Sequence, residues 1–112
     1  MQIQASEEKG IHVVRIGGRL DGASAPQLEK QLRLLLDQKV TRLVLDLEKM
    51  NYISSAGLRV LLVVARELDS GSGTIALCNL NPEVREVFDV AGFSEIFPIH
   101  SSRQGALESL EE

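Results

Sequence analysis

Arg42-Leu43-Val44-Leu45-Asp46-Leu47, followed shortly by Asn51-Tyr52-Ile53-Ser54-Ser55-Ala56-Gly57-Leu58, is the stretch whose reading decides the fold. The first run is apolar at almost every position, the pattern of a strand covered on both faces, as central strands of parallel sheets are. Downstream, Leu58, Leu61, Leu62, Ala65 and Leu68 recur at helical spacing until Ser70-Gly71-Ser72-Gly73 ends the stripe. A buried strand therefore feeds a helix through a loop, Glu48 to Ile53.

The flanks read the same way. Ile3 and Ala5 alternate with polar residues, Glu8-Lys9-Gly10 supplies a turn, and Ile11 to Ile16 returns, which predicts a hairpin. Gly17, Gly18 and Gly22 around Arg19-Leu20-Asp21 read as a loop. Ser24 with Gln27 three residues on reads as a capping box, and Leu28, Leu32 and Leu35 then predict a first helix from about 25 to 37. Thr74 to Asn79 is a short β-rich run. Asn81-Pro82-Glu83 has the chemistry of a helix start, with Val84, Val87, Phe88 and Ala91 on one face and Gly92 as the stop. Phe93, Ile96, Phe97 and Ile99 suggest a last buried segment, and Ala106, Leu107 and Leu110 a short terminal helix. Strands alternating with helices after a hairpin imply one α/β domain over residues 1–112, with a mixed, mostly parallel sheet of four to five strands and about four helices. In such sheets functional surfaces lie outside the carboxyl ends of the strands, which places the search at residues 17–24, 48–57 and 79–82.

Composition narrows the function. With 44% hydrophobic and 25% charged residues the chain has the make-up of an ordinary globular domain. The longest apolar stretch, Val60 to Ala65, is bounded by Arg59 and Arg66, far short of the roughly 20 residues a membrane span needs. The amino terminus lacks the basic and apolar regions of a secretory signal, so a cytoplasmic location is expected. One cysteine, Cys78, can form neither an internal disulfide nor a cysteine metal cluster, and His12 and His100 stand alone, so no metal and no cofactor are expected. The formal net charge is -4 with no Lys/Arg stripe, which argues against nucleic acid. Acids collect late in the chain, where Glu83, Glu86, Asp89, Glu95, Glu108, Glu111 and Glu112 face only Arg85 and Arg103.

Ser54 and Ser55 sit at a predicted helix amino terminus. One use for such a serine is as an N-cap, worth about 1 kcal/mol. The same place also tolerates a phosphoryl group, because free N–H groups and the positive end of the helix dipole favour negative charge. Gly57 leaves space for a partner's approach, and Arg59 lies one turn on, where it can help neutralise added charge. Asp46 either orients this loop or accepts backbone N–H groups in a turn. Asp21 is either a contact residue or a turn former ahead of Ser24, while Arg19 and Tyr52 belong to residue types that often anchor interfaces.

Leu45-Asp46-Leu47 together with Tyr52-Ile53-Ser54-Ser55-Ala56-Gly57-Leu58-Arg59-Val60-Leu61-Leu62 resembles the signature of STAS domains, and more narrowly of bacterial anti-sigma factor antagonists. The likeness also takes in Gly18-Arg19-Leu20-Asp21, Val84-Arg85-Glu86-Val87-Phe88 and Ala91-Gly92-Phe93. It implies a non-enzymatic switch: the unphosphorylated chain binds a protein that is both anti-sigma factor and serine kinase, a sigma factor is released, and phosphorylation of Ser55 ends the complex until a serine phosphatase resets it. Partner contacts are then expected at Arg19, Asp21, Asn51, Tyr52, Ser54, Ser55, Gly57 and Arg59. The family's acceptor serine often follows an Asp, whereas here Ser54 precedes Ser55, so Ser54 is a rival acceptor.

Three readings compete. Ser55, Asp89 and His100 follow the chain order of α/β hydrolases, but Ile53 stands where the nucleophile elbow requires Gly, and no glycine-rich oxyanion loop is evident. Weak nucleotide binding at Gly17, Gly18 and Gly22 or at the helix tip is the second, without a GxxxxGK[ST] or GxGxxG pattern to support it. The third is a scaffold or regulatory subunit, of a signalling complex or a transporter, that uses the fold without phosphorylation.

Overall fold

In a computed structural model that describes residues 1–111, the chain opens with an antiparallel hairpin, β1 (Gln2–Glu8) and β2 (Ile11–Leu20), paired from Gln2 opposite Gly17 to Glu8 opposite Ile11. Helix α1 (Ala25–Asp37) leads to β3 (Arg42–Asp46), and a short connection leads to β4 (Met50–Ile53) and α2 (Ser55–Ser70). Then come β5 (Thr74–Cys78), α3 (Pro82–Val90), a single 3-10 turn at Phe93–Glu95, β6 (Ile99–His100) and α4 (Arg103–Leu110). The sheet runs β1-β2-β3-β5-β6, with β4 paired to β2, and every pairing except β1–β2 is parallel.

Side-chain alternation explains the continuous apolar runs. In β3, Leu43 and Leu45 join the main core beneath α1, α2 and α3, while Val44 points to the other face. There it meets Ile11, Val13, Ala76, Cys78 and Ala106 of α4. A strand buried on both faces has no polar side to alternate with. Helix α1 is closed onto α2 by the Arg33–Glu67 ion pair, and a cluster of Phe88, Phe93 and Phe97, with ring centroids 6.0–6.3 Å apart, fastens α3 and the 3-10 turn.

The sheet has one strand more than the upper expectation because Glu48 to Ile53 is not wholly a loop. Met50–Ile53 pairs with the end of β2, Arg19 opposite Tyr52 and Leu20 opposite Ile53, with an irregularity between Gly18 and Arg19. That bulge gives four residues the burial order in-out-out-in, which period-two reading misses. Gly17 and Gly18 correspondingly lie inside β2 and not in a loop. A Cβ on Gly17 would stand 3.1 Å from Lys49 Cβ, and Gly18 takes φ +89°, so both glycines serve close approach and bulging within the sheet. In the last buried segment Phe97 is buried, but Ile96 is half exposed. No helix among the described residues is long and apolar enough to cross a membrane.

Candidate functional site

The carboxyl ends of β2 and β4 and the start of α2 form one rim. The Ser54 N–H donates to the Leu20 carbonyl at 2.9 Å, which ties the two loops together. Ser54 is the N-cap of α2: its backbone is extended and its hydroxyl accepts from the Gly57 N–H at 3.4 Å. Ser55 is the first helical residue, is exposed, and its Oγ has no hydrogen-bond partner among the described residues. The two hydroxyls thus differ in their engagement. Ser54 serves the helix, and Ser55 stands free at the positive end of a 16-residue dipole.

Around the serines the rim is polar and ordered. The Arg19 guanidinium carbon lies 4.0 Å from the Tyr52 ring centroid, a cation–π contact across paired strands, and Arg19 Nε is 3.6 Å from Asp21 Oδ2. Asp21 Oδ1 accepts the Ala23 and Ser24 N–H groups at 3.0 and 3.1 Å, which makes Asp21 a turn former. The Ser24 N–H bond, with those of Ala23 and the Ser24 hydroxyl and the Arg19 charge, holds its carboxyl below the usual range against some desolvation. Ser24 does not complete a capping box. Its hydroxyl donates back to the Arg19 carbonyl at 2.8 Å and accepts from the Asp21 N–H at 3.0 Å, because its own backbone is already helical and directs the side chain away from the first turn. Asn51 and Arg59 are both exposed on this side of the molecule.

Two residues take other parts. Gly57 is buried: a Cβ there would fall 2.6 Å from Leu20 Cγ and 3.1 Å from Ile53 Cγ1, so the missing side chain lets α2 pack on the strand ends and opens no space for a partner. Asp46, only 4% exposed, faces away from the serines. It accepts the Glu48 N–H at 3.1 Å and the Asn79 amide at 3.2 Å, and its second oxygen pairs with Arg103 of α4 at 3.0 Å. It shapes the turn after β3 and fastens α4.

Periodicity misplaced part of α3. Val84 and Phe88 are buried, but Val87 and Ala91 face outward with Val90, which is 82% exposed. With Leu58, Glu83 and Glu86 they line a groove beside Ser55. The only sequence hint was Val90, an apolar residue off the buried stripe. Asn81 caps α3 as its sequence suggests, with its carbonyl oxygen 2.8 Å from the Val84 N–H, and its amide also donates to the Met50 carbonyl at 2.8 Å. That second bond aligns α3 with β4 and could not be read from local pattern.

The hydrolase triad is not assembled. Asp89 is engaged by Arg85 and Ser94, and His100 packs beside Gly105 at the start of α4. Burial, with a smaller contribution from Asp46, pushes the Cys78 thiol up to about 12, which removes it as a nucleophile. Among the described residues no cluster of three His, Cys, Asp or Glu side chains is placed to hold a metal.

An antiparallel hairpin thus leads into a mostly parallel sheet, with a serine-tipped helix at the carboxyl ends of β2 and β4. The chain belongs to the STAS domain family, whose model matches residues 2–106. It is 43% identical over 106 residues to BtrV of Bordetella bronchiseptica, named as a candidate anti-sigma factor antagonist, covering 95% of this chain and 91% of that protein. It is 29% identical to an anti-sigma F factor antagonist of Paenibacillus polymyxa, covering 99% and 96% of the two chains. Among solved structures it matches SpoIIAA in its unphosphorylated form with a TM-score of 0.84 at 24% identity, covering 96% and 95%. Bacillus SpoIIAA in its phosphorylated form matches at 0.77 and 22%, covering 98% and 100%.

Proposed function

We propose that this chain is an anti-sigma factor antagonist that binds an anti-sigma factor with serine-kinase activity while Ser55 carries a free hydroxyl, and lets it go when Ser55 is phosphorylated. The observation that carries this reading is the division of labour at the tip of α2, where Ser54 caps and Ser55 is exposed and uncommitted. Ser54 is half-buried with its oxygen engaged by the Gly57 N–H, whereas Ser55 is exposed and can take a phosphoryl group without disturbing an existing bond. The relatives named for anti-sigma antagonism support the partner class.

The switch needs no refolding. Phosphorylation adds about -1.5 to -2 charge, which the helix dipole and Arg59 stabilise in solution but which a partner would have to bury. Only ~3 kcal/mol of repulsion and desolvation weakens a complex roughly a hundredfold. Arg19, Asp21, Asn51, Tyr52 and Arg59 contribute polar contacts at the rim, a serine phosphatase restores the hydroxyl, and the chain itself performs no catalysis. In the test, Ser55→Ala stays on the kinase when ATP is added, while Ser55→Asp folds normally and binds at least tenfold more weakly. Equal affinity of the two variants would defeat the proposal.

A further inference from the structure

The sheet ends in a strand too short to finish it. β6 pairs with β5 only at Leu77 and Cys78, so Thr74, Ile75 and Ala76 have no strand on that side. Along β5 the backbone turns alternately to its two neighbours: the Thr74 N–H donates to the Thr41 carbonyl before β3, the Leu77 N–H to the Pro98 carbonyl and the Asn79 N–H to the His100 carbonyl. Ile75 shares the orientation of Leu77 and Asn79. Its N–H and C=O therefore face the open edge, and neither meets a protein partner among the described residues. A groove of about 770 Å³ lies along this edge, walled by α2 on one face of the sheet and by the end of α4 on the other. Leu62 and Ile96 contribute apolar surface to it and join neither core cluster. His100 lines it too, and its Nε2 is buried without a hydrogen-bond partner among the described residues.

We infer that this groove binds a short extended segment of a partner protein, which adds to the open edge of β5 as a further strand. An unpaired strand edge is a template for such an addition, and main-chain hydrogen bonds supply its affinity. The segment accepts from the Ile75 N–H and donates to the Ile75 carbonyl, in the place that β6 leaves empty. Successive side chains of an extended segment turn to opposite faces. One sets an apolar group on Leu62 and Ala65 of α2, and the next turns toward α4, where a hydroxyl or amide satisfies His100 Nε2. Arg66 and Asp69 stand on the α2 wall, and neither forms an ion pair among the described residues. An acid on the segment complements the first and a base the second. A second copy of this chain does not fit. Its edge strands are bound into a sheet flanked by helices, and the groove walls hold such a body outside the spacing of about 4.8 Å that strand pairing needs. Arg66 lies three turns of α2, about 16 Å, from Ser55, so the inference stands apart from the functional reading above.

The experiment pans a displayed library of random dodecapeptides against the full chain and follows the enriched peptides, synthesised with capped ends, by NMR of the isotope-labelled chain. The expected peptides carry an apolar residue beside an acid and a base, and they slow exchange of the Ile75 amide proton by about tenfold or more. Leu62→Lys, at a side chain outside both core clusters, is expected to bind them about tenfold more weakly with an unchanged melting temperature. Leu34→Ser, at a half-exposed leucine on α1, is expected to bind them as wild type. Peptides that leave the Ile75 amide unprotected, or that bind Leu62→Lys as tightly as wild type, overturn the inference, and so does a library that yields no binder. A dimer of the free chain in analytical ultracentrifugation that Leu62→Lys dissociates assigns the groove to a second copy and overturns it as well.

Discussion

At the start of α1 the hydroxyl of Ser24 is consumed by its own loop, donating to the Arg19 carbonyl and accepting from the Asp21 N–H, while Asp21 gathers the next two backbone donors. At the start of α2 the cap is a single 3.4 Å contact from Ser54, and the neighbouring hydroxyl of Ser55 is left free. Both loops follow a strand that ends at the same rim, and both present serine to a helix. The first loop satisfies its polar groups internally and acts as a rigid border. The second leaves one hydroxyl unengaged, and the phosphorylation proposed at Ser55 rests on that difference.

The sharpest way to break this contrast is phosphate transfer. Incubated with the kinase and ATP, Ser54→Ala should take up one phosphoryl group, and Ser55→Ala essentially none, as read by intact-mass spectrometry. Loss of labelling in Ser54→Ala with retention in Ser55→Ala would reverse the assignment of the two hydroxyls. Stability comes next. Ser24→Ala should cost about 1 to 2 kcal/mol in urea unfolding, because it removes a donor and an acceptor together, whereas Ser54→Ala should cost about 0.5 kcal/mol for a long cap bond. Equal losses would mean that the loops are built alike.

Glycines give a smaller effect of opposite sign in the two places. Gly57→Ala gains about 1 kcal/mol of helix propensity, but its Cβ falls 2.6 Å from Leu20 Cγ, and overpacking of about 1 to 3 kcal/mol outweighs the gain. Net destabilisation of about 1 kcal/mol is expected. Gly22→Ala meets nothing within 4 Å and should be neutral or stabilising by up to about 0.5 kcal/mol. A stabilised Gly57→Ala would show that α2 can lift off the strand ends.

The smallest effect is in pH. The Asp21 carboxyl titrates below its ordinary 3.8 in the folded chain, so its contribution is fully present above that value and drains away as pH falls through the lowered folded one. The stability gap between wild type and Asp21→Asn should be constant near neutrality and shrink in acid, as followed by urea midpoints. A gap that widens in acid would mean that Asp21 does not hold its turn as an anion.

Much of the architecture was legible because it depends on local pattern. The stripe of Leu58, Leu61, Ala65 and Leu68 could hardly be anything but a buried helix face, and Asn81-Pro82-Glu83 opened α3 as its chemistry requires. Expectations failed where a neighbour distant in sequence set the outcome. Met50–Ile53 is a strand only because β2 lies beside it, and Gly57 is glycine only because Leu20 lies over it. Val87 fits the helical stripe equally well inside or out, and the way α3 sits beside α2 leaves it outside.

By itself the sequence determined the class of the fold and the neighbourhood of the site, since hydrophobic period, caps and turn residues act over a few positions along the chain. Which serine caps and which stays free, that Asp46 turns toward Arg103, and that valines of α3 border Ser55 were decided only by tertiary structure. Those outcomes depend on side chains brought together from elements far apart in the chain, and local spacing carries no record of who the spatial neighbour will be.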